Sequence, residues 1–280
     1  MNKTLKALLT ALLVLLVIYS LICLLLYWQQ EKIVFYPTQL PKDYVFRFNQ
    51  PFEERFFKTS DGVLLHGVLF QAAPQPQADK KLVFFLHGNA GAVNGWGGLA
   101  PYYTSLGYDF FVMDYRGYGK SEGNTNSEQQ FYTDVQTVYQ QMAAEYPEEH
   151  IVVVGFSIGT ASAAMLAARH NPRILILLAP YYSLEDMLQR TYPFVPSFFL
   201  KYKFRTHAFI DKTKVPVYIF HGNRDEVIPY ESSVKLKKHL KPAARYITLE
   251  GVNHNSIHQT RQYQAALQTL LQPHQKTDGF

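Results

Sequence analysis

Short, continuous apolar runs recur along this chain at intervals wide enough to hold a helix: Leu82 to Leu86, Phe110 to Met113, Ile151 to Val154, Ile174 to Leu178, Val217 to Phe220 and Tyr246 to Leu249. A run that does not alternate with polar residues reads as a strand buried on both faces. Between the second and third runs, Phe131, Val135, Val138, Tyr139 and Met142 fall on one helical face. Asn126 or Ser127 is placed to cap that helix, Gln130 to complete a capping box, and Pro147 follows it. Alternation of buried strands with amphipathic helices predicts an α/β fold, a mostly parallel sheet flanked by helices. Upstream, Glu54 to Thr59 and Val63 to Phe70 are joined by Ser60-Asp61-Gly62, which predicts an antiparallel hairpin at one edge.

Two stretches stand outside the alternation. Ala7 to Trp28 carries no charge, and as a helix it is about 33 Å long, enough to cross a hydrocarbon core of roughly 30 Å. Lys3 and Lys6 precede it, and Tyr27-Trp28 close it as an interfacial aromatic pair would. A cleaved signal peptide is the rival reading. The run is longer than a usual signal core, no Ala-x-Ala site follows, and Ile22 precedes Cys23 where a lipoprotein site needs a small residue. We therefore expect one uncleaved transmembrane helix within residues 1–30, then a juxtamembrane connector over 31–50. The second exception, Tyr181 to Asp211, has three aromatic patches and no good strand, so we expect a small cap insertion of two short helices. The α/β domain then spans 51–272, with the cap at about 181–211 and a tail at 273–280.

The strand at Ile151 breaks at Gly155-Phe-Ser-Ile-Gly159 and runs straight into the Ala-rich stretch Thr160 to Ala168, suited to a helix. A strand that becomes a helix within five residues crowds its backbone, so small residues at minus two and plus two from Ser157 are what a nucleophile elbow requires. A serine hydroxyl needs a base, and the base a group to orient it. Such groups gather on loops at the C-terminal ends of parallel strands. After Val217 to Phe220, the loop offers Asp225, with Glu226 beside it and Asp186 of the insertion a more remote alternative. After Tyr246 to Leu249 comes His254. For the oxyanion, the N–H of Ile158 lies at a helix start, and that of Asn89 (with Ala90 as alternative) follows the strand at Leu82. His258 stands four residues after His254, a metal-like spacing, but no third ligand is evident, so it reads as a core or loop histidine and metal as none. His87 reads as structural, and Asp114-Tyr-Arg-Gly-Tyr-Gly-Lys-Ser121 as scaffold.

Taken together, His87-Gly-Asn-Ala-Gly, Asp114-Tyr-Arg-Gly-Tyr-Gly, Gly155-Phe-Ser-Ile-Gly-Thr, His221-Gly-Asn-Arg-Asp-Glu-Val-Ile-Pro and Gly251-Val-Asn-His254 make residues 51–272 resemble the α/β-hydrolase superfamily. The combination looks most like its N-terminally anchored Bem46-like group, which includes relatives described as serine aminopeptidase-like. The order Ser157, Asp225, His254 is the order of that fold. The resemblance implies a serine hydrolase without cofactor, acting through an acyl-enzyme on a small-molecule or lipid ester. It is much less specific to substrate, because the broad group includes lysophospholipid and monoacylglycerol lipases and protein depalmitoylases. Peptide or amide hydrolysis is an alternative, for which Glu185 or Asp186 would hold an α-ammonium. A non-catalytic binding module is a second, favoured by a broken triad, whereas here every position is filled.

Composition changes this picture little. The chain is 48% hydrophobic with 20 Tyr and 20 Phe, enough for a sizeable core. Its net charge of +5 includes no dense basic run among exposed aromatics, so nucleic acid is not an expected partner. The one cysteine, Cys23, excludes an internal disulfide and a thiolate metal cage. Phe194, Phe198 and Phe199 of the insertion are candidates for an apolar substrate pocket. The positive tail ahead of the span favours a cytoplasmic N-terminus, with the α/β domain outside the cytoplasm.

Overall fold

A computed structural model describes residues 2–74 and 76–272; the expected tail at 273–280 lies outside the described residues. The main sheet contains, in chain order, β1 (Phe52–Lys58), β2 (Leu64–Phe70), β3 (Leu82–Leu86), β4 (Asp109–Met113), β5 (Ile151–Phe156), β6 (Ile174–Leu178), β7 (Val217–Gly222) and β8 (Arg245–Leu249). From one edge to the other their order is β8-β7-β6-β5-β3-β4-β2-β1. β1 and β2 pair antiparallel around Gly62 at φ +86°, β2 runs antiparallel to β4, and the remaining neighbours are parallel. The α/β architecture is the one the apolar runs imply.

Alternate residues of the central strands feed two cores. Leu82, Phe84, Leu86, Ile151 and Val153 pack on one face of the sheet, and Val83, Phe85, Val152 and Val154 on the other. The first face is covered by α2 (Glu128–Ala143) and α3 (Gly159–Arg169), the second by α6 (Arg261–Leu271) through Tyr263, Leu267 and Leu271. The start of α2 is fixed as its sequence suggests. Ser127 Oγ accepts from Gln130 N–H at 3.1 Å, and Gln130 Oε1 accepts from Asn126 N–H at 2.9 Å, so both candidate cap residues take part.

The N-terminal helix α1 (Lys3–Val34) stands clear of the domain through its first half, exposing Leu12, Leu13, Leu15 and Leu16. It continues four residues beyond the boundary expected at residue 30, because Gln30 and Glu31 find partners on the domain. The connector is well packed. Phe35 is buried against Phe131, Tyr202 and Phe204, and Phe46 stacks on the His66 ring at 5.5 Å. The insertion forms α4 (Leu184–Thr191), a short 3-10 turn (Ser197–Phe199) and α5 (Thr206–Ile210).

Candidate active site

Ser157 sits at the junction of β5 and α3 with φ 52°, a left-handed conformation that side chains rarely adopt and that costs on the order of 1–3 kcal/mol. The two flanking glycines make that turn sterically feasible. A Cβ on Gly155 would lie 2.7 Å from Ala163 Cβ and from Gly159 O, and one on Gly159 only 2.3 Å from Leu86 O. Ser157 N–H donates to Leu178 O at 2.9 Å and Thr160 Oγ1 to Ser157 O at 2.6 Å, which fixes the turn between β6 and α3.

His254 begins a 3-10 turn (His254–Gln259) whose first donors are capped by Asn253, which accepts from Ser256 N–H at 3.1 Å. Its ring packs on Phe156, the residue before Ser157, at 4.9 Å. Its Nδ1 meets Asp225 Oδ2 at 2.7 Å. Asp225 is surrounded by donors: His221 Nε2 at 3.0 Å on the same oxygen, and the N–H groups of Val227 and Ile228 on the other, at 2.9 and 2.8 Å. Burial opposes its charge, but the hydrogen bonds from His221 and His254 with the His254 charge outweigh it and hold the carboxyl well below the usual carboxylate range. Glu226 is exposed. His221 was not singled out from the sequence for this role. Buried on β7, with Nδ1 2.5 Å from Ser233 Oγ, it fixes Asp225 from behind.

Among the described residues, neither the Asn89 nor the Ile158 backbone N–H has a hydrogen-bond partner. The Asn89 side chain, in contrast, makes three hydrogen bonds. It donates to Val34 O at 2.6 Å and accepts from Tyr36 N–H at 3.3 Å and Tyr118 OH at 2.9 Å. This ties the loop after β3 to the end of α1. Gly88 lets that loop close on the elbow strand, since a Cβ there would lie 2.8 Å from Phe156 Cδ1.

His87, His258 and Asp114 are buried in the core. His87 is buried, its pKa lowered by loss of solvent, with Nδ1 2.6 Å from Gly88 O and its ring 4.4 Å from that of Tyr115. His258 is buried among Phe85, Phe156 and Tyr263, which lowers its pKa to about 4. Asp114 accepts from Val93 N–H at 2.8 Å, and Arg116 forms a two-pronged pair with Asp134 at 2.5 and 2.9 Å. His207, Asp211 and His239 bring ligand-type atoms within 4.8 Å of one another. That trio shares no residue with the Ser157 site; Asp211 bonds His239 Nδ1 at 2.7 Å and Tyr182 lies flat on His207 at 4.2 Å.

Phe199 lines an apolar cavity of about 320 Å³ between α1 and the cap, together with Leu26, Ile33, Met187, Leu188 and Val195. Phe194 and Phe198 do not line it; they are 64% and 74% exposed. Both acids considered as ammonium holders are engaged with cations. Glu185 takes Arg205 at 2.6 and 2.8 Å, and Asp186 takes Lys235 as well as Ser232 Oγ at 3.0 Å.

Sheet order, elbow and loop placement define an α/β-hydrolase. Residues 77–208 match the family model described as serine aminopeptidase, S33. The protein bem46 of Schizosaccharomyces pombe is 32% identical over 237 residues, covering 78% of this chain and 77% of that protein. The α/β hydrolase domain-containing protein 17B of Xenopus tropicalis is 29% identical, over 76% of this chain and 73% of that one. An esterase of Pyrococcus furiosus superposes with a TM-score of 0.64 at 18% identity, covering 85% and 97% of the two chains. An esterase of Exiguobacterium antarcticum gives 0.61 at 18% identity, over 77% and 98%. The chain belongs to the Bem46-like group of the α/β-hydrolases.

Proposed function

We propose that this hydrolase is a membrane-anchored serine esterase acting on carboxylic esters of apolar acids, acyl lipids included. Ser157 attacks the carbonyl, His254 takes its proton and passes it to the leaving alcohol, and Asp225 holds the His254 ring in the tautomer that leaves Nε2 free to accept. The N–H groups of Ile158 and Asn89 receive the oxyanion, the first aided by the start of α3. Water then releases the acid from the acyl-enzyme by the same proton path. The observation that carries this reading is the His254–Asp225 bond of 2.7 Å, beside a serine held at φ 52°.

An aminopeptidase-like reading, which the name of the matched family model raises, requires a carboxylate free to bind a substrate ammonium. The pairing of Glu185 with Arg205 and of Asp186 with Lys235 weighs against it. The test is a series of p-nitrophenyl esters set against free-amine aminoacyl amides. We expect kcat/KM to rise from acetate to a medium chain and then level, with up to about fourfold per methylene from roughly 0.8 kcal/mol of burial. Phe199→Ala should flatten the rise with little effect on acetate. Acetate as the best ester, with aminoacyl amides cleaved faster than any ester, would replace this reading by the aminopeptidase-like one.

For the membrane, the proposal is a single span with the N-terminus in the cytoplasm and the α/β domain outside it. The domain-side cation Lys42 is paired with Glu122 at 2.5 Å, and Glu31 with Lys201 at 3.0 Å, while Lys3 and Lys6 stand exposed ahead of the span. Alkaline phosphatase fused after Phe280 should be active; a reporter that works only in the cytoplasm would reverse the orientation.

A further inference from the structure

One face of α1 stays in contact with the cap across three turns. Tyr19 OH donates to Phe194 O at 2.7 Å, Cys23 is buried, Leu26 lines the cavity, and Gln30 Nε2 donates to Phe199 O at 2.6 Å. The spacing 19, 23, 26, 30 keeps these side chains on one side of the helix. Most of this contact lies inside the apolar run, which ends at Trp28.

Helix length then decides where the cap sits. If the membrane boundary runs through Tyr27 and Trp28, Tyr19 and its partner Phe194 lie about 13 Å inside it, within a hydrocarbon core of roughly 30 Å. Moving the boundary down to Tyr19 leaves only Ala7 to Ile18, about 18 Å of apolar helix, too short to cross. The tip of the cap is therefore at or below the surface in either placement.

Its chemistry agrees. Residues 191–200 carry no charge and are bracketed by Arg190 and Lys201. Lys201 Nζ lies 4.6 Å from the Tyr27 ring centre and pairs with Glu31, marking the polar boundary at the level of Tyr27. Phe194, set below it by its bond to Tyr19, is 64% exposed, and in the same tip Phe198 is 74% and Tyr192 51% exposed, aromatic side chains with no covering element. Part of the tip's backbone is satisfied internally. The N–H groups of Tyr192, Val195, Phe199 and Leu200 donate to nearby carbonyls, and Pro193 and Pro196 have none to satisfy.

We propose that the cap tip, residues 192–199, is immersed in the bilayer beside α1, so that the apolar cavity between them takes the acyl chain of a lipid resident in that bilayer. This rests on the membrane-anchored reading above and deepens it, because a substrate lipid would reach the cap without passing through water.

The experiment uses the full chain in phospholipid nanodiscs, in a Cys23→Ser background that removes the single native thiol. An NBD label is placed in turn at Phe198→Cys, at Leu15→Cys in the middle of α1, and at Gln262→Cys on α6, across the sheet from the cap. With doxyl-labelled phospholipid in the disc, the labels at 15 and 198 should lose most of their fluorescence and that at 262 almost none. Quenching at 15 with none at 198 overturns the immersed tip while α1 remains a span. No quenching at either position shows that the anchoring reading itself has failed. A phospholipid with a mid-chain diazirine should crosslink within residues 184–200, and Leu188→Trp, which fills the cavity, should abolish that crosslink without altering quenching at 198. Crosslinks confined to the outer face of α1 would overturn the acyl-chain occupant.

Discussion

Ser157→Ala is expected to lower kcat/KM for every ester by about 10⁴-fold or more, the loss that follows when a nucleophile and its covalent intermediate are removed. The fold should survive the change. Alanine is no bulkier than serine, the Oγ is not among the groups that fix the turn, and the bonds from Ser157 N–H and to Ser157 O are made by the backbone. An unchanged thermal transition with activity gone would separate chemistry from folding. A variant that keeps a tenth of its activity would mean that another group attacks the carbonyl.

Asp225→Asn should cost about 10³ to 10⁴ in kcat/KM, and the reason lies in the count of donors around it. The carboxylate accepts from His254 and His221 on Oδ2 and from two backbone N–H groups on Oδ1. An amide has one acceptor oxygen. If that oxygen stays with the backbone donors, its NH₂ faces both histidines and drives the His254 proton to Nε2, the atom that must accept from Ser157. If it flips, the N–H groups of Val227 and Ile228 lose their acceptor. Glu226→Gln, at an exposed position, should change the rate by no more than a few-fold. A reversal of the two effects would move the orienting acid along by one residue.

How much of this could be read from the sequence follows from which interactions are local. The central strands were legible because both their faces are buried, so each is a continuous apolar run; Leu82–Leu86 and Ile174–Leu178 begin and end as the runs do. The elbow was legible because steric crowding leaves only glycine at positions 155 and 159, and Asp225 and His254 because they directly follow their strands. His221 was not, since its partners Asp225 and Ser233 are chosen by the path of a loop, and nothing in the local pattern separates it from a core histidine such as His258. The packing of the connector was not legible because Phe35 packs on residues far along the chain and Phe46 on His66 of the hairpin, with no periodicity to announce either contact. The cap was legible only as an interruption. Its aromatics looked alike in sequence, yet Phe199 faces the cavity while Phe194 and Phe198 face outward, a division set by the approach of α1.

The central claim, that Ser157 is an activated nucleophile, is tested most directly by a fluorophosphonate probe, which reacts covalently only with a serine whose proton a neighbouring base can take. The account predicts that the purified full-length chain is labelled, that the modified peptide maps to Ser157, and that labelling disappears in both Ser157→Ala and His254→Ala. Labelling that persists in Ser157→Ala, or a wild type that never reacts, would contradict it.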